Sequence, residues 1–220
     1  MACRIAIDGP AGSGKTTVAR LVAQRLGISY LDTGAMYRIV GLHLSRKGAN
    51  VKSSSLKDYL TDLRIEYTDG NFYVNGTPVG EEIRTPEAGM YASLYAAHPD
   101  VREFLTRIQK EICKERNIVA EGRDIGTVVI PDAEVKIFLV ASPEVRAKRR
   151  YFELIAKGYK VQYEDVLREI IERDQNDSKR DIAPLSKAVD AVEIDTSDLS
   201  IEEVVDMIIK LVRERCWEKF

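Results

Sequence analysis

The chain has 220 residues, with 33 lysines and arginines against 35 aspartates and glutamates, and a formal net charge of −2. This length predicts one compact domain, or one core with small insertions. The nearly neutral total argues against a surface that binds nucleic acid or anionic membranes as a whole. No apolar stretch approaches the ~20 residues that cross a bilayer, so we expect a cytoplasmic protein without a membrane segment.

Cysteine and histidine are scarce, which excludes several chemistries. The three cysteines, Cys3, Cys113 and Cys216, lie far apart and form no C-x-x-C pair. We therefore expect reduced thiols. Because His43 and His98 are the only histidines, a histidine-based zinc site or a Ser-His-Asp triad would have almost no residues to build on.

Short apolar runs alternate with segments of helical periodicity along most of the chain. The predicted strands cover residues 4–8, 28–31, 117–121, 135–140 and 191–195. An alternation of strands and helices is typical of a parallel sheet with helices on both faces. We therefore expect a three-layer α/β fold with a five-stranded parallel sheet.

One segment breaks this alternation. Residues 63–79 alternate apolar and polar side chains and contain the dipeptides Asp69-Gly70 and Asn75-Gly76. Such dipeptides connect the antiparallel strands of hairpins. The sequence therefore predicts a small antiparallel β-sheet inserted into the parallel core.

The segment after the first strand matches the phosphate-binding pattern G-x-x-x-x-G-K-[ST]. It lies between a predicted strand and a predicted helix, which is the context that gives this pattern its meaning. Backbone N–H groups would surround a triphosphate, Lys15 would reach its β and γ oxygens, and the Thr16 hydroxyl would bind Mg²⁺. The predicted ATP-binding residues are Gly9, Pro10, Ala11, Gly12, Ser13, Gly14, Lys15, Thr16 and Thr17.

A loop of this kind, the P-loop, serves switch GTPases, ATPases and kinases of small molecules. The guanine-reading tetrapeptide N-K-x-D of switch GTPases does not occur in the chain. A kinase needs further arginines or lysines, because the donor, the acceptor and the transition state are all anionic. Two alternatives stay open at this point: a kinase of another acceptor, such as AMP, UMP or shikimate, and a nucleotide-dependent switch with slow hydrolysis.

Acids, glycines and arginines follow two predicted strands at their carboxyl ends, where ligands bind in open parallel sheets. The sequence DTGAMYR runs from Asp32 to Arg38, and EGRD runs from Glu121 to Asp124. Asp32 and Glu121 are candidates to reach Mg²⁺ through a water molecule. A turn with a surface ion pair is the alternative interpretation of each segment.

The stretch 146–180 is mainly helical and strongly charged. Arg146, Arg149 and Arg150 fall on one face of a predicted helix, and a solvated face explains such a run as well as a binding site does. The polar segment from Arg173 to Arg180 would suit a lid that supplies guanidinium groups and excludes water from phosphoryl transfer.

Five segments together resemble the bacterial cytidylate (CMP) kinases, a family of P-loop nucleoside monophosphate kinases. They are IDGPAGSGKTT, LDTGAMYR, AEGRDIGTVVIPDAEVKIFL, ASPEVRAKRR and ERDQNDSKRDIAPL, and the likeness extends from residue 4 to the C-terminus. The resemblance implies Mg²⁺-dependent transfer of the γ-phosphoryl group of ATP to CMP or dCMP in pyrimidine nucleotide metabolism. It also implies a monomer with small-molecule substrates and no nucleic-acid or membrane partner. The implied parts are a core at 1–35, 86–150 and 181–220, a monophosphate-binding part at 36–85 and a helical lid at 151–180.

The resemblance further implies a role for individual residues. The catalytic residues would be Lys15, Arg123, Arg173 and Arg180. The CMP-binding residues would be Thr33, Tyr37, Arg38, Ser93, Arg102, Arg123, Asp124, Arg173, Asp177 and Arg180, with Ser93, Arg102 and Asp124 near the cytosine edge. The family often has serine at the position of Thr33 and aspartate at that of Glu121, so both functional groups are kept with a different reach.

Overall fold

The computed structural model describes residues 2–216. Its strands are β1 (Arg4–Asp8), β2 (Ser29–Asp32), β3 (Ile65–Thr68), β4 (Asn71–Val74), β5 (Thr77–Pro78), β6 (Ile118–Gly122), β7 (Val135–Val140) and β8 (Val192–Asp195). Its α-helices are α1 (Lys15–Leu26), α2 (Thr33–Arg46), α3 (Lys57–Leu60), α4 (Pro86–Tyr95), α5 (Pro99–Cys113), α6 (Pro143–Ala156), α7 (Tyr163–Ser178) and α8 (Ile201–Cys216). A 3₁₀ turn at Glu81–Arg84 and a π-helical turn at Ile125–Val129 complete the elements.

The core is a five-stranded sheet in the order β2-β6-β1-β7-β8, and every pair in it is parallel. In β1, Ile5 lies opposite Val119 of β6 and Val135 of β7. The predicted five-stranded parallel sheet is therefore confirmed, with strand bounds that differ from the predicted ones by no more than one residue at either end. This order places β1 between β6 and β7, so the loop that follows β1 leaves from the middle of the sheet.

Helices cover both faces of the sheet because alternate side chains of a strand point to opposite sides. Ile5 and Ile7 pack in a core with residues of α1 and α8, whereas Ala6 packs on the other side with residues of α2 and α5. The predicted three-layer arrangement is confirmed. No helix in the described part of the chain is long and apolar enough to cross a membrane.

The predicted small sheet is also confirmed. Strands β3, β4 and β5 are antiparallel neighbours. The turn at Asp69-Gly70 has φ values of 51° and 80°, and the turn at Asn75-Gly76 has 51° and 79°. Two successive residues with positive φ are the mark of the tight hairpin turns that these dipeptides favour. The hydroxyl of Tyr67 on β3 donates to a carbonyl oxygen of β2, which attaches the small sheet to the core.

Helices α6 and α7 form a helical hairpin over the stretch predicted to be helical. They share a small apolar cluster of Ala147, Leu154, Val166 and Ile170, which is separate from the two cores on the sheet. The boundaries of the predicted core, monophosphate-binding part and lid stay predictions, and residues 1 and 217–220 of the predicted core lie outside the described residues.

The expectation of three reduced thiols is wrong. Cys3 and Cys216 form a disulfide across a sequence separation of 213 residues, whereas Cys113 is a buried free thiol. Helix α8 packs against the sheet face that β1 shares with α1, and this packing brings the two cysteines within bonding distance. Their spacing in the sequence carries no sign of this proximity.

Candidate active site

The phosphate-binding loop connects β1 with α1 at the carboxyl edge of the sheet. Its backbone has positive φ at Gly9 (148°), Gly12 (77°) and Gly14 (90°). A Cβ atom on Gly9 would lie 2.1 Å from the carbonyl oxygen of Leu139 on β7, so only glycine fits there. The loop therefore has the turned backbone that lets successive N–H groups face one anion.

The side chain of Lys15 folds back over this loop. Its amino group donates to the carbonyl oxygen of Pro10 at 2.7 Å and lies 3.4 Å from the hydroxyl oxygen of Ser13. Burial, and then the nearby guanidinium of Arg123, lowers the pKa of Lys15 to about 7. A phosphate in the loop would supply the negative charge that favours the protonated amine.

The Thr16 hydroxyl and the Glu121 carboxylate meet beside the phosphate-binding loop. The hydroxyl of Thr16 donates to the carboxylate of Glu121 at 2.6 Å, and Tyr30 donates to the same oxygen at 3.2 Å. Burial, and then the Asp32 carboxylate, raises the pKa of Glu121. Among residues 2–216, no group of three or more His, Cys, Asp or Glu side chains could hold a metal. Mg²⁺ bound with a nucleotide takes most of its ligands from phosphates and water, so the Thr16 and Glu121 oxygens fit that ion.

Asp32 has two partners that fix the start of α2. Its carboxylate accepts the backbone N–H of Ala35 at 2.8 Å, as an N-cap residue does, and pairs with Arg38 at 2.8 Å. The hydroxyl of Thr33 donates to the backbone carbonyl of Glu121 at 2.6 Å, which joins the ends of β2 and β6. Arg38 is thus held at the end of β2, where it lines the cleft, and its buried Nε has no hydrogen-bond partner among the described residues.

Three arginines converge on one carboxylate. Asp177 on α7 pairs with Arg123 at 2.8 Å and also with Arg180. Although burial alone would raise the pKa of Asp177, Arg123 and Arg180 hold it below the usual value. Burial, and then the charge of Arg123, lowers the pKa of Arg173 to about 10. Arg123 also lies near the carboxylates of Glu121 and Asp8. The cluster therefore places several positive charges close together in the cleft.

A second buried ion pair lies beyond Arg123. Arg102, only 2% exposed, pairs with Asp124 at 2.5 Å and donates to the carbonyl oxygen of Ala96 at 3.1 Å. Its guanidinium lies 5.5 Å from the centre of the Tyr37 ring, in cation–π contact. The Nε of Arg102 has no hydrogen-bond partner among the described residues.

One open cleft of about 2620 Å³ joins these groups. Every residue predicted to bind ATP, CMP or Mg²⁺ lines it except Gly9, Pro10 and Arg102. Gly9 and Pro10 form the start of the loop, and Arg102 lies behind Asp124. Ser93 on α4 lines the same cleft, so the structure brings the predicted residues into a single site.

The family model for cytidylate kinase matches residues 5–214. The chain belongs to the cytidylate kinase family. A cytidylate kinase of Fervidobacterium nodosum is 70% identical over 216 residues, covering 98% of this chain and 99% of that protein. One from Thermosipho melanesiensis is 64% identical over 217 residues, with the same two coverages of 98% and 99%.

Among solved structures, a shikimate kinase from Bacteroides thetaiotaomicron has a TM-score of 0.53 at 15% identity, covering 96% of this chain and 98% of that chain. At this identity the likeness shows a shared fold alone. The match to the cytidylate kinase family, by contrast, spans nearly the whole chain, so the resemblance inferred from the five sequence segments is confirmed.

Asp8 is a site residue that sequence reasoning missed. Its buried carboxylate accepts the backbone N–H groups of Ile125 at 2.8 Å and Gly126 at 2.7 Å. Burial raises its pKa to about 7. Asp8 therefore fixes the turn after Asp124 against the start of the phosphate loop. A carboxylate that directly follows the apolar residues Ile5, Ala6 and Ile7 at the end of β1 is the signal that could have identified it.

Of the two interpretations left open for Arg146, Arg149 and Arg150, a solvated face is excluded for Arg146. Arg146 is buried, whereas Arg150 is half-buried, pairs with Glu153 and lines the cleft. Arg149 donates to the side-chain and backbone oxygens of Thr196 at 3.0 and 2.5 Å. The Thr196 hydroxyl in turn lies 3.3 Å from the carbonyl oxygen of the P-loop residue Ser13. Helical spacing correctly put these arginines near one another, but it does not reveal which element covers them.

Proposed function

We propose that the chain transfers the γ-phosphoryl group of ATP to CMP or dCMP and releases ADP with CDP or dCDP. The observation that carries this proposal is the arrangement of one cleft, in which a P-loop lies at the end of β1 and a buried Arg–Asp pair lies beyond the end of β6. Membership of the cytidylate kinase family supports the same activity.

Phosphoryl transfer would depend on positioned positive charge. Lys15 folds back over the loop that would hold the β and γ phosphates, and Arg123, Arg173 and Arg180 line the same cleft. The acceptor phosphate is already anionic, so no side chain has to act as a strong base. Thr16, with Glu121 next to it, would hold Mg²⁺, which when bound neutralises charge on the phosphate oxygens.

Selection of the base would rest on Asp124, Arg102 and Ser93. Cytosine presents an amino donor beside the acceptors N3 and O2, so it needs an acceptor and a donor in the pocket. The Asp124 carboxylate and the Ser93 hydroxyl line the cleft as acceptors, and the buried Arg102 guanidinium behind Asp124 would supply the donor. Uracil would put its O4 acceptor opposite an acceptor and leave buried groups unpaired, which disfavours UMP.

On the acceptor side, Thr33, Arg38 and Arg123 would contact the monophosphate, Asp177 and Arg173 would face the ribose, and Arg180 would reach phosphate from the lid. Tyr37 would also belong to the CMP site. We further propose that residues 36–85 form the monophosphate-binding part and that 151–180 act as the lid. As an enzyme of intracellular nucleotides, the chain would act in the cytoplasm as a monomer with ATP and CMP or dCMP as its small-molecule partners, and with no nucleic-acid partner.

The deciding experiment measures ADP release with Mg²⁺ and ATP while CMP, dCMP, UMP, AMP or shikimate is added in turn. We expect the highest kcat/KM with CMP or dCMP and little release without an acceptor. Preference for another acceptor would replace the substrate assignment. Release at the same rate with no acceptor would instead indicate a nucleotide switch.

A Lys15→Ala variant is the control for the P-loop. Its turnover should fall by about 100-fold or more, as expected for the loss of a charge that stabilises the transition state. Nearly normal turnover in this variant would contradict the proposed mechanism.

A further inference from the structure

Arg146 lies at a junction of three segments that the proposed reaction uses. It belongs to the first turn of α6, yet the residue is only 3% exposed. Its Nε donates to the carbonyl oxygen of Ala141, just after β7, at 2.8 Å. Its two terminal nitrogens contact the phosphate-binding loop on one side and α7 on the other.

The contact with the phosphate-binding loop involves both backbone and packing. Nη1 of Arg146 donates to the carbonyl oxygen of Ala11 at 3.1 Å. A Cβ atom built on Gly12 would lie 3.1 Å from the Cβ of Arg146, so the loop backbone packs directly on the arginine. A shift of these loop residues would therefore displace the guanidinium or break its hydrogen bond.

The contact with α7 is a two-point ion pair. Nη1 and Nη2 of Arg146 donate to the two carboxylate oxygens of Asp174 at 3.1 and 2.6 Å. Asp174 directly follows Arg173 in α7 and precedes Asp177 by less than one helical turn. A change in this ion pair would therefore move the part of α7 that carries Arg173, a proposed catalytic residue, and Asp177.

We propose that Arg146 and Asp174 are positioning residues that couple ATP in the phosphate-binding loop to the acceptor side of the cleft. ATP that orders the carbonyl of Ala11 would hold the guanidinium of Arg146, which would in turn hold α7 with Arg173 and Asp177 in place for CMP. This inference rests on the proposed function. A planar guanidinium can serve Ala11, Ala141 and Asp174 together, whereas a lysine amine at that site cannot match the two-point geometry.

The test measures the Kd of CMP by calorimetry, with and without Mg²⁺ and a non-hydrolysable ATP analogue. In the wild type we expect the analogue to tighten CMP binding by about 5-fold or more, the lower end of typical coupling between sites. Arg146→Lys and Asp174→Asn should each reduce that factor to below about 2-fold, while the Kd of each ligand alone changes by less than about 3-fold. In turnover, kcat should fall by about 10-fold with little change in the KM for ATP.

The matched control is Arg25→Lys, because Arg25 forms exposed ion pairs with Glu202 and Asp206 on α8 and does not line the cleft. This variant should keep the wild-type coupling, and thermal unfolding checks that all the variants fold. The proposal is overturned if the wild type shows no coupling, if both variants keep it, or if folded variants simply lose ATP binding. Failure of the proposed function is a separate result, since it would appear as wild-type ADP release that does not depend on CMP.

Discussion

Reducing the disulfide between Cys3 and Cys216 is expected to remove a large part of the stability of the protein. The bond joins residues separated by 213 positions, which is almost the whole chain. Closing a loop of this length lowers the entropy of the unfolded chain, and the chain-entropy relation gives about 5 kcal/mol at 25 °C. For a domain of this size that loss corresponds to a fall in Tm of roughly 10–20 °C.

The assay compares the same protein before and after reduction. Protein purified without reductant and denatured should show one reactive thiol per chain, that of Cys113, and three after reduction. Calorimetric Tm values are then measured with and without reductant. A Cys216→Ser variant should unfold near the Tm of the reduced wild type and should not respond to reductant.

Activity gives an independent check on this prediction. Neither cysteine lines the cleft, so reduction at 25 °C should leave kcat unchanged. Three reactive thiols before reduction would show that the bond is not formed. A Tm shift of less than about 2 °C in the oxidised protein would refute the entropic reasoning and would imply that the unfolded chain is already compact.

Three further predictions concern the cleft. Asp124→Ala should lower kcat/KM for CMP by roughly 10- to 100-fold, the effect of a buried charged partner lost from Arg102, while ATP binding measured by calorimetry stays the same; unchanged CMP kinetics would remove Asp124 from the site. Removing Mg²⁺ with a chelator should abolish transfer, and a Thr16→Ala variant should need a higher Mg²⁺ concentration for half-maximal rate. An unchanged Mg²⁺ requirement in this variant would show that Thr16 has no part in metal binding. The pKa of Asp177 lies below the usual 3.8, so its stabilising effect is present above that pH and is lost as the pH falls through the native pKa. Urea unfolding of Asp177→Asn should therefore show a smaller loss of stability below about pH 4 than the wild type, and parallel losses would contradict this.

The fold could be predicted from the sequence because its signals are local. Each strand of the parallel sheet is a short apolar run beside a helical pattern, and each hairpin turn has a dipeptide that favours positive φ. The small errors at strand bounds have a simple cause. Asp32 pairs within the sheet and also caps α2, and no apolar pattern reveals a polar residue in both roles.

The candidate site could be predicted only in part, because burial and pairing depend on distant elements. The sequence identifies the P-loop and the acidic and basic strand ends without the structure. It does not show that Arg146 is covered by α7 and the loop, or that Asp8 reaches the turn at Ile125. The same limit explains the cysteine error, since Cys3 and Cys216 meet only through the packing of α8 on the sheet.

The near balance of the total charge conceals a local cluster of positive charge in the cleft. The chain sums to −2, yet Arg123, Arg173 and Arg180 lie around Asp177. Burial, and then repulsion by Arg123, lowers the pKa of Arg173. Anionic phosphates would relieve that repulsion on binding, most of all when the donor and the acceptor are bound together. Charge placed in the cleft, rather than charge summed over the chain, is therefore the property that bears on the binding of phosphorylated substrates.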